Sequence, residues 1–94
     1  MGNKLAKHTK MKQKKRIAII GSTGSIGKQA LDVISQHDDI LSAEVLTANS
    51  SWEELVSQAL KFKPNCVVIA NKDYYSDVKQ ALKDTDTKVF AGSE

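Results

Sequence analysis

Arg16-Ile-Ala-Ile-Ile-Gly21-Ser-Thr-Gly24-Ser-Ile-Gly27 is the stretch that decides the fold. A short apolar run, Ile17 to Ile20, breaks into three glycines spaced three apart, and an apolar-periodic segment follows. That order reads strand, tight turn, helix. Gly21 at the strand end permits a turn that a side chain would obstruct. Gly24 lets backbone approach a pyrophosphate closely, and Gly27 lets helix and strand pack together. The first amides of such a helix lack intrahelical partners and carry the positive end of its dipole, so they suit a phosphate. The hydroxyls of Ser22, Thr23 and Ser25 add donors or a helix cap. The spacing is G-x-x-G-x-x-G, not the commoner G-x-G-x-x-G, and the bland alternative is a glycine-rich turn that binds nothing.

Outward from this turn the chain repeats one unit. The first strand spans about Arg16 to Ile20 and is expected to be buried on both faces of a parallel sheet. The helix after it runs from Gly24 or Ser25 to Gln36, with Ile26, Ala30, Val33 and Ile34 on its inner face. His37 closes that helix and carries no catalytic role. A second strand, Leu41 to Ala48, alternates Ala43, Val45 and Thr47 against Glu44 and Leu46. Ser51 and Glu54 have the form of a capping box opening the second helix. Its buried stripe is Trp52, Leu55, Val56 and Ala59, and Phe62-Lys63-Pro64 ends it.

Cys66 to Ala70, the most apolar run, makes a third strand near the sheet centre. After an Asn71-Lys72-Asp73 turn, a third helix from Tyr74 to Lys83 turns Tyr74, Val78, Ala81 and Leu82 inward. Lys88 to Ala91 is a fourth strand. The sequence therefore predicts an α/β fold, β-α-β-α-β-α-β. This is a Rossmann-like doubly wound parallel sheet present as part of a domain of a longer chain. Residues 1–15 are expected to form a basic disordered tail or leader, and 16–94 the N-terminal part of a dinucleotide-binding, Rossmann-like domain.

Composition narrows the function. The net charge of +3 hides an asymmetry. Met1 to Arg16 holds Lys4, Lys7, Lys10, Lys12, Lys14, Lys15 and Arg16 with no acid, whereas the remainder sets seven lysines against eleven acids. The tail has no interleaved aromatic and no binding module after it, so a disordered extension is expected and nucleic acid is not. Cys66 is the single cysteine, so no internal disulfide forms, and it reads as a buried strand residue. No run approaches the roughly 18 apolar residues of a membrane span. A cytoplasmic setting without a membrane partner is the expectation.

The end of the second strand bears on the cofactor. An acid there would bind a ribose 2′-hydroxyl and repel a 2′-phosphate. The position instead reads Ala48-Asn49-Ser50-Ser51, with no acid before Glu53. Small hydroxyls at a helix N-terminus favour a 2′-phosphate, hence NADP over NAD. No cation is adjacent in sequence; Lys72 is weighed for that role against an ordinary solvated turn lysine.

The Gly21-Ser-Thr-Gly-Ser-Ile-Gly27 string, with Leu31-Asp32-Val33-Ile34 and Ala59-Leu60-Lys61-Phe62-Lys63-Pro64, resembles the N-terminal region of the 1-deoxy-D-xylulose 5-phosphate reductoisomerase family. The likeness covers about Lys15 to Glu94. It implies an NADPH-dependent enzyme that rearranges and reduces 1-deoxy-D-xylulose 5-phosphate to 2-C-methyl-D-erythritol 4-phosphate in isoprenoid biosynthesis. It also implies Mg²⁺ or Mn²⁺ as cofactor and a homodimer. Beside Gly21 of the turn, the family's cofactor contacts carry over to Thr23, Gly24, Ser25 and Ile26, and to Asn49, Ser50 and Ser51 at the adenosine end. Many relatives have Gly-Lys-Asn in that second patch, and this sequence lacks the lysine. Metal ligands, catalytic residues and the groups that hold the sugar phosphate are expected in later domains. The 94 residues alone should bind cofactor without turning over substrate. The rival readings are another NADP-linked oxidoreductase or epimerase, a non-catalytic nucleotide-sensing module and, for the tail, nucleic-acid binding.

Overall fold

The computed structural model describes residues 14–92. The expectations for residues 1–13 lie outside that span. Four strands, β1 (Lys15–Ile19), β2 (Leu41–Ala48), β3 (Cys66–Ile69) and β4 (Lys88–Ala91), alternate with three helices. These are α1 (Ser25–Gln36), α2 (Trp52–Phe62) and α3 (Tyr75–Ala81), the last preceded by a 3₁₀ turn at Lys72–Tyr74. The expected order is reproduced throughout. β1 starts one residue early, which takes Lys15 out of the tail.

The sheet is parallel at every pairing, in the order β1-β2-β3-β4. Strands laid down in sequence order by right-handed crossovers put all three helices on one face. The parallel α/β alternation is as expected; among the described residues the helices cover one face, and a second helical layer, which a doubly wound sheet has, is not among them. Buried strand residues confirm the covered face: Ile19, Leu46, Val67 and Val89 form one row in register, and Ala48 and Ile69 begin the next. Leu31 and Ile34 of α1, Leu55 and Ala59 of α2, and Val78 and Leu82 at α3 fill the space above them.

Four details depart from the expected packing. β1 is an edge strand here, with Ala18 exposed and Ile20 beyond it 77% exposed, so it is not buried on both faces. In β2 the pairing skips Glu44: Ile17 pairs Ala43 and Ala18 pairs Val45. This bulge resets the alternation, so Leu46 and Ala48 point into the core with Ala43, while Val45 and Thr47 turn to the opposite face. On α1, Ile26 and Val33 are exposed, and the buried residues are Gly27, Leu31 and Ile34. Gly27 sets that rotation. A Cβ there would lie 2.2 Å from the Gly21 carbonyl oxygen, so the bare glycine is the face that meets the turn. At α3, Ala81 is exposed and Tyr75 packs against the core in its place.

α2 begins with Ser51 at its N-cap, but no side-chain cap bond forms. The capping box is absent, and Glu54 instead reaches across to α1, where its carboxylate lies 3.2 Å from the Lys28 ammonium. The other end matches the sequence expectation. Lys63 takes a left-handed conformation, φ 52°, and donates its amide to the Ala59 carbonyl ahead of Pro64.

Candidate functional site

The glycine turn leaves β1 through Gly21 at φ 76°, a conformation that costs an L side chain about 1–2 kcal/mol. The Gly24 amide then donates to the Gly21 carbonyl at 3.1 Å. Gly24 is the N-cap of α1, with φ −80° and ψ 171°, and accepts the first helical bond from Lys28 at 2.9 Å. The amides of Ser25, Ile26 and Gly27 fall in the first turn, ahead of any intrahelical acceptor. Gly24, Ser25 and Ile26 are exposed, and the first turn contains no acid. A Cβ on Gly24 would meet only ordinary contact, 3.6 Å from the Gly21 oxygen. Its lack of a side chain is therefore not required by internal packing, unlike Gly27.

The end of β2 holds this turn in place. Thr47 Oγ1 accepts from the Gly21 amide at 2.8 Å, and the Thr47 carbonyl accepts from the Ser22 amide at 2.8 Å. Ser22 is fully buried. Its hydroxyl donates to Gln58 Oε1 at 2.6 Å, and Gln58 Nε2 donates back to the Ser22 carbonyl at 3.0 Å. The sequence reading offered this hydroxyl as an outward donor or cap. The structure turns it inward, because a buried hydroxyl needs a partner and α2 supplies one.

The second expected patch, Asn49, Ser50 and Ser51, is exposed directly after β2. The next loop ties it down: the Asn71 amide donates to the Asn49 carbonyl at 2.9 Å, and Asn71 Nδ2 donates to Ser50 Oγ at 3.2 Å. Trp52 stacks on Tyr74 behind it, with ring centroids 6.3 Å apart. Trp52 is thus a packing residue, as its helical spacing implied. Lys72 is exposed in the same loop as Asn71. A crevice of about 470 Å³ at the carboxyl ends of the strands is lined by Ile20, Gly21, Thr47, Ala48, Asn49 and Val68 among others; it takes Gly21 from the first expected patch and Asn49 from the second, while Thr23, Gly24, Ser25, Ile26, Ser50 and Ser51 lie outside it. In open α/β sheets this is where ligands bind.

These features fit a dinucleotide. An anion would find unpartnered amides at the start of the 12-residue α1, with no side chain on Gly24 to hinder close backbone approach. Thr47, Gln58 and Asn71 escaped the sequence reading. Each acts across a separation of 20 residues or more, and only the three-dimensional pairing of β2, α2 and the loop after β3 brings them in.

The family model for 1-deoxy-D-xylulose 5-phosphate reductoisomerase matches residues 17–94. The chain belongs to that family. It is 55% identical to the 1-deoxy-D-xylulose 5-phosphate reductoisomerase of Bacteroides thetaiotaomicron over 83 residues, 88% of this chain and 21% of the relative. The Porphyromonas gingivalis protein of the same name is 47% identical, covering 86% and 21%. Among solved structures, the Zymomonas mobilis reductoisomerase in complex with NADPH superposes with a TM-score of 0.81 at 34% identity, over 85% of this chain and 21% of that one. A reductoisomerase bound to NADPH, fosmidomycin and magnesium gives 0.78 at 32% identity, over 84% and 20%. The chain thus spans about a fifth of the length of the reductoisomerases it matches. Among the described residues, no group of three or more His, Cys, Asp or Glu is arranged to hold a metal.

Proposed function

We propose that this chain is the NADPH-binding portion of a 1-deoxy-D-xylulose 5-phosphate reductoisomerase. The observation that carries the reading is the turn from Gly21 to Gly27. Its left-handed first glycine, its exposed Gly24 and the first-turn amides of α1, which have no intrahelical acceptor, suit a pyrophosphate, and the family membership supplies the nucleotide. Thr23, Gly24, Ser25 and Ile26 would hold the pyrophosphate. Asn49, Ser50 and Ser51 would hold the adenosine 2′-phosphate, with no acid at the end of β2 to repel it. Bound NADPH supplies a hydride to the reacting sugar phosphate. The residues here bind and orient the dinucleotide. The conversion to 2-C-methyl-D-erythritol 4-phosphate, the Mg²⁺ or Mn²⁺ it uses and the homodimer belong to the same proposal, at the level of the whole polypeptide. A cytoplasmic setting is proposed with it, in keeping with the single unpaired cysteine, Cys66.

Calorimetric titration of the chain with NADPH and with NADH tests this, repeated on Gly24→Val. NADPH should bind at least tenfold more tightly than NADH, and Gly24→Val should weaken NADPH by tenfold or more while the fold persists. A Cβ at Gly24 has space within the protein, so lost binding reports on the ligand's space. A folded chain that binds neither nucleotide overturns the reading, and a preference for NADH overturns the 2′-phosphate assignment.

A further inference from the structure

We infer that Gln58 is a positioning residue for the phosphate turn, acting through Ser22 from the far helix α2. This rests on the NADPH reading above and adds a residue to it that neither glycine spacing nor the cofactor patches include.

The geometry is reciprocal. Ser22 presents a donor, its hydroxyl, and an acceptor, its carbonyl, to the same carboxamide at 2.6 and 3.0 Å. Chemistry fixes the amide orientation: only Nε2 can serve the carbonyl, which leaves Oε1 for the hydroxyl. A side chain that grips one residue at both its hydroxyl and its carbonyl fixes that residue's χ1 and the orientation of the peptide plane following it. That peptide leads into Thr23 and Gly24, so its tilt decides where the amides of the α1 first turn point.

Thr47 fixes the preceding peptides from the sheet side, through its hydroxyl to the Gly21 amide and its carbonyl to the Ser22 amide, both at 2.8 Å. Between β2 and α2 the Gly21–Ser22 segment is held from two directions. Ser22 itself is 0% exposed, so water cannot replace Gln58 without opening the packing. An aliphatic side chain at 58 would leave the buried Ser22 carbonyl short of a partner, while the hydroxyl would keep only its longer contact to the Thr47 carbonyl, at 3.3 Å. The Ser22–Thr23 peptide would then reorient to satisfy that carbonyl. Ligand-bearing loops need such support, because an anion site built from backbone amides loses affinity when the amides diverge.

The test uses the full 94-residue chain with Gln58→Met, which keeps side-chain length and helix propensity but cannot pair with Ser22. Two ligands are titrated: NADP⁺, which needs the pyrophosphate turn, and adenosine 2′-monophosphate, which has no pyrophosphate and engages only the Asn49–Ser51 end. Gln58→Met should weaken NADP⁺ about tenfold or more and leave adenosine 2′-monophosphate within about twofold. A generally loosened fold would weaken both. Amide hydrogen exchange without ligand gives a second readout: exchange at the Ser22 and Gly24 amides should rise about tenfold, with the core amides of β3 unchanged.

Ser22→Ala provides the second variant should Gln58→Met fail to fold. It removes the hydroxyl but keeps the Gln58–carbonyl bond, and it should weaken NADP⁺ by a smaller factor with adenosine 2′-monophosphate again unaffected. Wild-type binding that Gln58→Met and Ser22→Ala leave unchanged overturns the inference and spares the cofactor reading. A wild-type chain that binds neither ligand overturns both.

Discussion

At the residue scale, the three glycines of the turn have separate reasons to be glycine, and substitution separates them. Gly27→Ala would drive a Cβ to 2.2 Å from the Gly21 oxygen and 2.6 Å from Ser22 Cα, both backbone atoms that have nowhere to go. It should destabilise the chain by about 1–3 kcal/mol or more, read from urea midpoints. Gly24→Val, at an ordinary extended φ, should cost at most about 1 kcal/mol of stability while removing the nucleotide site. The spacing of these glycines was legible because the requirements at Gly21 and Gly27 are local and steric, whereas that at Gly24 comes from the ligand. The partners of the turn were not, since Gln58 lies 36 residues from Ser22.

Cys66 adds a pH prediction. Partial burial pushes its thiol above the ordinary 9.0, the Glu44 carboxylate pushes the same way, and Lys88 pulls back. The folded chain therefore holds this proton to higher pH than the unfolded chain. Stability from this group is complete below about pH 9 and is lost as pH rises through the raised value. Stability measured against pH on Cys66→Ala should fall less steeply on the alkaline side than wild type. Equal slopes would remove Cys66 from the account.

At the element scale, periodicity located every strand and helix but mis-set the packing of β1, β2, α1 and α3, and α1 and β2 show why. α1 contains enough apolar residues for two overlapping stripes, and Gly27, pinned against the turn, selects the one with Leu31 and Ile34. In β2 the bulge at Glu44 inverts the alternation halfway along, and a backbone irregularity of that kind leaves no mark in a hydropathy pattern. The capping motif of α2 offers a direct check. Ser51 makes no side-chain cap bond, so Ser51→Ala should change stability by less than about 0.5 kcal/mol, below the ~1 kcal/mol typical of N-cap serines. Leu55→Ala, in the same helix but fully buried, should cost about 2–5 kcal/mol. Thermal melts of the pair decide whether the helix is held by its cap or by its packing.

At the scale of the whole molecule, the described residues cover the sheet on one face. The other presents Ala18, Val45, Cys66 and Lys88 in one row across the strands, with Thr47, Val68 and Phe90 in the next. Ile20 and Phe90 are 77% and 51% exposed there. An apolar sheet face beside a β1 edge that no other described strand pairs is an association liability. The chain should self-associate as concentration rises in sedimentation velocity, and Phe90→Lys should shift that association to higher concentration. A monomer at all concentrations would show that this face tolerates water.

The amino-acid sequence by itself determined the alternation of strands and helices, the strand–turn–helix at Gly21 to Gly27 and the family. These follow from short-range sterics, periodicity and a motif contained within a dozen residues. Only the tertiary structure decided which stripe of α1 is buried, where β2 bulges, and that Thr47, Gln58 and Asn71 brace the two halves of the crevice. Those outcomes depend on contacts between segments far apart in the chain, where a hydrogen bond or a clash is set by packing geometry and not by neighbouring residues.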